Sequence, residues 1–216
     1  RLWATENLGI NDGPVSPIII NNNLIDVVTT PGAVGEPAAV RMRPEVAPWR
    51  VVNRVTTVAA GEDGSIDITS PEYGTIVLRG TIAADADPQL KVEHFDDPPR
   101  FARTAFIEAL QRAGVTVASN PTAPNPRGTL PAPTKVAELP EVANLEENAT
   151  YILKVSYNRG AQTQVCLLAA SIGSRDCDDG FPEMAKVLGA AGVDPKQASL
   201  VDGSGLPGNF VTASSI

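Results

Sequence analysis

Lys154-Val155-Ser156-Tyr157-Asn158-Arg159-Gly160 is the stretch around which the rest of this chain is interpreted. It lies at a predicted break between two helices, because apolar residues recur at helical spacing before it and after it. The break places the hydroxyl of Ser156 and the carboxamide of Asn158 two positions apart. Such a pair can take part in chemistry, or it can cap a helix by satisfying backbone N–H groups. Both interpretations predict a helix, a break and a second helix.

The part of the chain around this break is predicted to be rich in helices. Helices are expected over residues 98–113, 144–155, 159–172 and 181–191. The first has the clearest ends, since Asp97 suits the N-cap, Pro98 the first helical position and Gly114 the stop. Its apolar stripe is expected to comprise Phe101, Ala102, Ala105, Phe106, Ala109, Leu110 and Ala113. A proline-rich loop over residues 119–135 separates this helix from the others.

The first 95 residues carry a different pattern, with short apolar runs separated by turn residues. Strands are expected over residues 17–20, 24–28, 39–43, 51–59, 66–68, 76–79 and 90–93, which is typical of an antiparallel β domain. The triplet Asn21-Asn22-Asn23 is predicted to close a hairpin between the first two strands, since asparagine tolerates positive φ. In residues 39–43 the alternation points Val40 and Met42 to the core and the arginines to water.

Together these patterns predict an α+β chain with two parts. Residues 1–95 would form a β-rich module, and residues 96–216 an α-rich part. The change of pattern falls at Asp96-Asp97-Pro98, where a turn gives way to the first helix.

Composition narrows the classes of partner. The 17 basic and 25 acidic residues give a net charge of −8, which argues against a nucleic-acid or anionic-membrane partner. No apolar run approaches the roughly 20 residues of a membrane span. One histidine and two separated cysteines make no zinc site, so no metal and no other cofactor is expected. His94 shares its predicted strand face with Leu90 and Val92 and is interpreted as a residue at the edge of the core.

The two cysteines, Cys166 and Cys177, lie eleven positions apart. In an exported protein such a pair could close a disulfide. In a cytosolic protein the two would instead be small buried hydrophobic residues with free thiols. The residues alone leave both states open.

Two separated motifs carry a resemblance to a known family. Ser156-Tyr157-Asn158 is followed about 45 residues later by Asp202-Gly203-Ser204-Gly205-Leu206. This order resembles the class C low-molecular-mass penicillin-binding proteins, the D-alanyl-D-alanine carboxypeptidase/endopeptidase family. In that family a Ser-x-Asn motif stands beside Ser-x-x-Lys and Lys-Thr-Gly motifs around one acyl-transfer centre. A large β-rich insertion precedes it, which residues 51–57 resemble, and residues 98–113 resemble the helix that leads back.

The chain departs from the family pattern in three respects. No serine is followed by lysine three residues later, and no lysine is followed by Thr-Gly or Ser-Gly. Pro207 stands where the family has serine. We therefore expect this chain to be the middle of such an enzyme, with the other two motifs outside it. A degenerate homologue, or a non-catalytic β-rich binding or scaffold module of the cell envelope, is the alternative.

The resemblance implies a role for each residue of the triplet. Ser156 would pass a proton to the leaving D-alanine nitrogen, Asn158 would contact the catalytic lysine and a substrate carbonyl, and Tyr157 would line the cleft. The parent enzyme would cleave peptidoglycan stem peptides through an acyl-enzyme, without metal, outside the cytoplasm. β-Lactams would acylate the same serine nucleophile, and the chain alone would be inactive.

Overall fold

The computed structural model of this chain describes residues 6–7, 13–126, 128, 132, 134–138 and 144–213. They form two compact units. The β unit is Ile18–Asn125, and the helical unit combines Arg1–Pro17 with Pro126–Ile216. The predicted α+β class is confirmed, since sheets and helices both contribute.

The elements follow one another in this order. The strands are β1 (Glu6–Asn7), β2 (Pro14–Val15), β3 (Leu24–Thr30), β4 (Ala39–Arg43), β5 (Arg50–Val58), β6 (Ile66–Glu72), β7 (Thr75–Ala83), β8 (Gln89–His94), β9 (Ala198–Ser199) and β10 (Phe210–Val211). The helices are α1 (Pro98–Arg112), α2 (Leu145–Val155), α3 (Asn158–Ser171) and α4 (Gly180–Ala190).

Two three-stranded sheets build the β unit, in the orders β4-β3-β8 and β5-β7-β6. Their strands pair in antiparallel fashion except β5 and β7, which are parallel. β7 is the central strand of its sheet, with β6 antiparallel to it on one side and β5 parallel to it on the other. Inward-facing side chains of both sheets form one core, which comprises Ile25, Val27, Ala38, Val46, Trp49, Val55, Ile66, Ile76, Leu78, Ile82, Phe95 and Phe101. As predicted, Val40 and Met42 pack against this core and the arginines beside them are exposed.

The predicted hairpin around the asparagine triplet is wrong. Residues Asn21–Asn23 do adopt positive φ, at 47°, 56° and 54°. Three successive left-handed residues form a short helical turn, however, and not the loop of a hairpin. The segment before the triplet is not a strand, and β3 pairs with β4 and β8.

Helix α1 belongs to the β unit. Its start is as predicted, because Asp97 Oδ1 accepts a hydrogen bond from the Arg100 N–H at 3.1 Å. Phe101 and Ala102 of the predicted stripe are buried, but Thr104 and Ile107 outside it are buried as well, while the predicted Phe106 is 65% exposed. The compact units consequently differ from the division into 1–95 and 96–216, because α1 packs on the β core.

In the helical unit, α3 is joined to the turn before α4 by a disulfide between Cys166 and Cys177. Both cysteines are fully buried, together with Val15 of β2. The structure therefore selects the disulfide from the two states left open by the sequence. Among the described residues, each helix is too short or too polar to serve as a bilayer-spanning segment.

Candidate active site

Ser156 ends helix α2 in a left-handed conformation, with φ 54° and ψ 52°. The N–H groups of Ser156 and Tyr157 both donate to the carbonyl of Ile152, which closes the helix end. Glycine normally fills such a position, because a side chain there costs about 1 kcal/mol or more. Apart from the asparagine triplet, Ser156 is the sole non-glycine residue with positive φ in the described ranges. Its side chain is exposed.

Helix α3 begins immediately beyond, at Asn158. The N-cap position belongs to Tyr157, which makes no side-chain capping bond. Ser156 and Asn158 thus flank the N-cap of α3 instead of occupying it. The interpretation of Ser156 as an N-terminal helix cap is wrong, since its conformation serves the end of α2.

The second motif, residues 202–206, is a tight turn organised by the Asp202 carboxylate. One oxygen, Oδ1, accepts from the hydroxyl of Ser204 at 2.7 Å and from the N–H groups of Ser204 and Gly205. The other, Oδ2, accepts from the side-chain amide of Asn209 at 2.8 Å. Asn209 Oδ1 in turn accepts from the N–H of Val201. The side chain of Asp202 therefore fixes the backbone that follows it.

These bonds determine the ionisation of Asp202. Burial acts to raise the pKa of this carboxyl, but the hydrogen bonds from Ser204, Asn209 and the Leu206 N–H outweigh it and hold the pKa below its usual value. Asp202 is accordingly an ionised acceptor at neutral pH.

A buried glutamine ties this turn to helix α3. Gln162 is 3% exposed, and its Oε1 accepts a hydrogen bond from the Gly203 N–H at 2.7 Å. The turn approaches the helix so closely that a Cβ on Gly203 would lie 2.6 Å from Val165 Cγ2 and 2.9 Å from the Ala161 carbonyl oxygen. Only glycine fits at position 203 without displacing one of the two elements.

The two motifs meet at one cleft of about 180 Å³ in the helical unit. The residues that line this cleft are Ile152, Leu153, Ser156, Tyr157, Asn158, Ala161, Gly203 and Ser204. Every member of the Ser-x-Asn triplet therefore lies at the same cleft as the turn that follows it in sequence. The cleft therefore offers three functional groups. They are the hydroxyl of Ser156, whose backbone is strained, the carboxamide of Asn158 and the hydroxyl of Ser204 on the rigid turn.

Sequence reasoning did not identify Gln162 or the organising role of Asp202. Gln162 shares one face of α3 with Val165, Cys166 and Ala169, all of which are buried. A polar residue at a position predicted to be buried is the signal that could have found it, because a buried polar group requires a partner.

The β unit carries a separate cavity of about 350 Å³ on which His94 lies with Glu93, Asp96 and Tyr73. Burial raises the pKa of Glu93, whose carboxylate accepts a hydrogen bond from the His94 N–H. His94 is half-buried beside these groups, whereas Leu90 on the same strand is 58% exposed. In the part of the chain that the structure covers, no group of three His, Cys, Asp or Glu side chains is placed to hold a metal ion.

The sequence profile of the D-Ala-D-Ala carboxypeptidase 3 (S13) family matches residues 3–216. The chain belongs to this family. A D-alanyl-D-alanine carboxypeptidase from an Actinomadura species is 33% identical to it over 206 residues, a stretch that covers 91% of this chain and 37% of that relative. The resemblance inferred from the two motifs is thereby confirmed.

Solved structures place this S13 chain in the penicillin-binding protein fold. Penicillin-binding protein 4 from Haemophilus influenzae superposes with a TM-score of 0.73 at 18% identity, over 99% of this chain and 50% of that protein. The same protein in complex with a β-lactam gives a TM-score of 0.68 at 18% identity, over 96% and 48% respectively. The S13 chain thus spans about half of these structures, and 37% of the curated relative.

Proposed function

We propose that this chain belongs to a serine-type D-Ala-D-Ala carboxypeptidase or endopeptidase and supplies one face of its acyl-transfer cleft. Family membership supports the reaction class. The observation that carries the site assignment is the left-handed conformation of Ser156 in the same cleft as the Asp202 turn. Strained residues of this kind persist where the surrounding structure holds them for a function.

The reaction assigns a distinct task to each polar group. When a nucleophilic serine attacks the D-Ala-D-Ala peptide bond, an acyl-enzyme forms and the departing D-alanine nitrogen must gain a proton. The hydroxyl of Ser156 can deliver that proton, because it donates one hydrogen bond while accepting another. The carboxamide of Asn158 can donate to a substrate carbonyl through its N–H₂ group and accept through its oxygen.

The nucleophilic serine and its lysine lie outside this chain in our proposal, since no Ser-x-x-Lys or Lys-Thr-Gly sequence occurs in it. The substrates are peptidoglycan stem peptides that end in D-Ala-D-Ala, and β-lactams acylate the same centre. The relative's name and the β-lactam complex of the structural neighbour support this choice. The Cys166–Cys177 disulfide supports action outside the cytoplasm, where such bonds persist.

The test uses the full-length protein that contains this chain. Ser156→Ala should slow acylation by a fluorescent penicillin about 100-fold or more, because positioned proton transfer contributes at least that factor. Asn158→Ala should also slow acylation, because it removes the hydrogen bonds that the carboxamide makes to the bound molecule. Ser199→Ala, at an exposed serine that does not line the cleft, should leave the rate unchanged. Circular dichroism melting of all three variants verifies that the fold is intact.

Unchanged acylation in both cleft variants would overturn the assignment of the site. A full-length protein that no penicillin labels would instead favour the scaffold alternative. Labelling of the 216-residue chain by itself would place the nucleophile within this chain and contradict the division proposed here.

A further inference from the structure

The hydroxyl of Ser204 lies at the cleft, and its proton is already donated in a hydrogen bond within the turn. Ser204 Oγ donates to Asp202 Oδ1 at 2.7 Å. Because Asp202 is ionised and also receives three other close hydrogen bonds from the turn and Asn209, it can only accept. The Ser204 hydroxyl must therefore be the donor in this pair. Its remaining capacity is that of an acceptor.

The position of this acceptor is fixed from two sides. Asp202 holds the Ser204 hydroxyl from within the turn, and Gln162 holds the adjoining Gly203 N–H against helix α3. The absence of a side chain at Gly203 lets the turn contact the helix directly. Ser204 remains half-buried on the lining of the cleft that also contains Ser156. Any group of a bound molecule that meets Ser204 Oγ must consequently be a hydrogen-bond donor.

We propose that Ser204 contacts the substrate directly and accepts a hydrogen bond from a backbone N–H of the bound peptide. This inference rests on the proposed function, because it assigns a substrate contact to the same cleft. A peptide supplies N–H donors along its length, whereas the hydroxyl of Ser204 offers nothing to a carboxylate or a carbonyl. Ser204 thus favours a peptide that presents an available amide N–H. Asp202 and Gln162 are positioning residues for this contact.

The experiment compares matched substrates on the full-length protein. One substrate is a D-Ala-D-Ala peptide, and the others carry an ester oxygen in place of each non-scissile backbone N–H in turn. Ser204→Ala should raise KM for the all-amide peptide about 3- to 10-fold at unchanged kcat, as expected for one lost neutral hydrogen bond. With one ester analogue, the wild-type enzyme should already show this raised KM, and Ser204→Ala should raise the KM for that analogue no further.

Two further variants separate contact from structure. Ser204→Thr retains the hydroxyl and should restore the low KM for the all-amide peptide. Ser204→Cys retains the shape but replaces the oxygen with a weak acceptor, so it should reproduce the loss if Ser204→Ala fails to fold. Ser199→Ala should match the wild type on every substrate.

Two results would overturn the inference. One is an unchanged KM in both Ser204→Ala and Ser204→Cys. The other is an equal rise in KM caused by Ser204→Ala on every ester analogue, which would indicate that Ser204 has a structural role only. Either result leaves the proposed function standing as long as penicillin acylation stays sensitive to Ser156→Ala. An insensitive acylation rate would instead contradict the proposed function itself.

Discussion

Phe95 and Phe101 stack with their ring centroids 4.0 Å apart and their planes 9° from parallel. Phe95 follows strand β8 directly, and Phe101 lies in the first turns of helix α1. Both side chains are fully buried in the core of the β unit. This contact packs α1 against the sheets that precede it, which explains why the helix belongs to the β unit.

Truncation of Phe101 should be costly. Phe101→Ala removes a fully buried ring and its stacking partner, so the free energy of unfolding should fall by about 3–5 kcal/mol. Phe106→Ala is the matched control, because Phe106 lies on the same helix and is 65% exposed. Its effect should stay within about 0.5 kcal/mol. Urea denaturation of the chain, followed by tryptophan fluorescence, measures both, and equal losses in the two variants would contradict the observed face of α1.

Asp202 should make stability depend on acid pH. Its folded-state pKa lies below the ordinary value of about 3.9, so its ionised form is stabilised by folding. The contribution is fully present above the unfolded pKa and is lost as pH falls through the lowered folded pKa. Asp202→Asn turns one acceptor into a donor that faces N–H groups, which should destabilise the fold by about 1–3 kcal/mol at neutral pH.

The check for Asp202 is a series of thermal melts between pH 2 and pH 7 on the chain and on Asp202→Asn. The gap in Tm should be constant from pH 7 to about pH 5 and should narrow below the ordinary aspartate pKa of about 3.9. A gap that is equally wide across the whole range would mean that the charge of Asp202 does not stabilise the turn.

The disulfide should contribute measurably to the stability of the helical unit. It closes a short loop between α3 and the turn before α4, and the corresponding loss on replacing both cysteines by serine is about 2–3 kcal/mol. Guanidinium denaturation of the oxidised chain and of the double variant gives the difference. Reductant should lower the midpoint of the wild-type chain and leave that of the double variant unchanged. A wild-type midpoint that ignores reductant would contradict this contribution.

Local signals predicted the helix boundaries well. Asp97 and Pro98 mark the start of α1, and the positive φ of Gly114 marks its end, because caps depend on neighbouring residues alone. The same locality explains why the break at Ser156 was predicted. Residue identity also predicted the left-handed asparagines, although it could not say which strand would pair beyond them.

The sequence did not predict the features that depend on contacts between distant segments of the chain. The parallel pairing of β5 with β7 depends on which strand edges meet, and both strands show the same β-branched pattern whichever way they run. The exposed position of Phe106 depends on which face of α1 meets the sheets. In the candidate site, the sequence identified the two motifs, while their meeting at one cleft and the contact from Gln162 required the structure.

In sequence, the β unit lies between the two segments of the helical unit. This order determines when each unit can fold during synthesis. The β unit is one continuous stretch, so it can fold as soon as Asn125 has left the ribosome. The burial of Val15 is delayed, because the cysteines that cover it are translated only after the whole β unit. Oxidation of Cys166 and Cys177 therefore encloses a residue that was translated before the whole β unit.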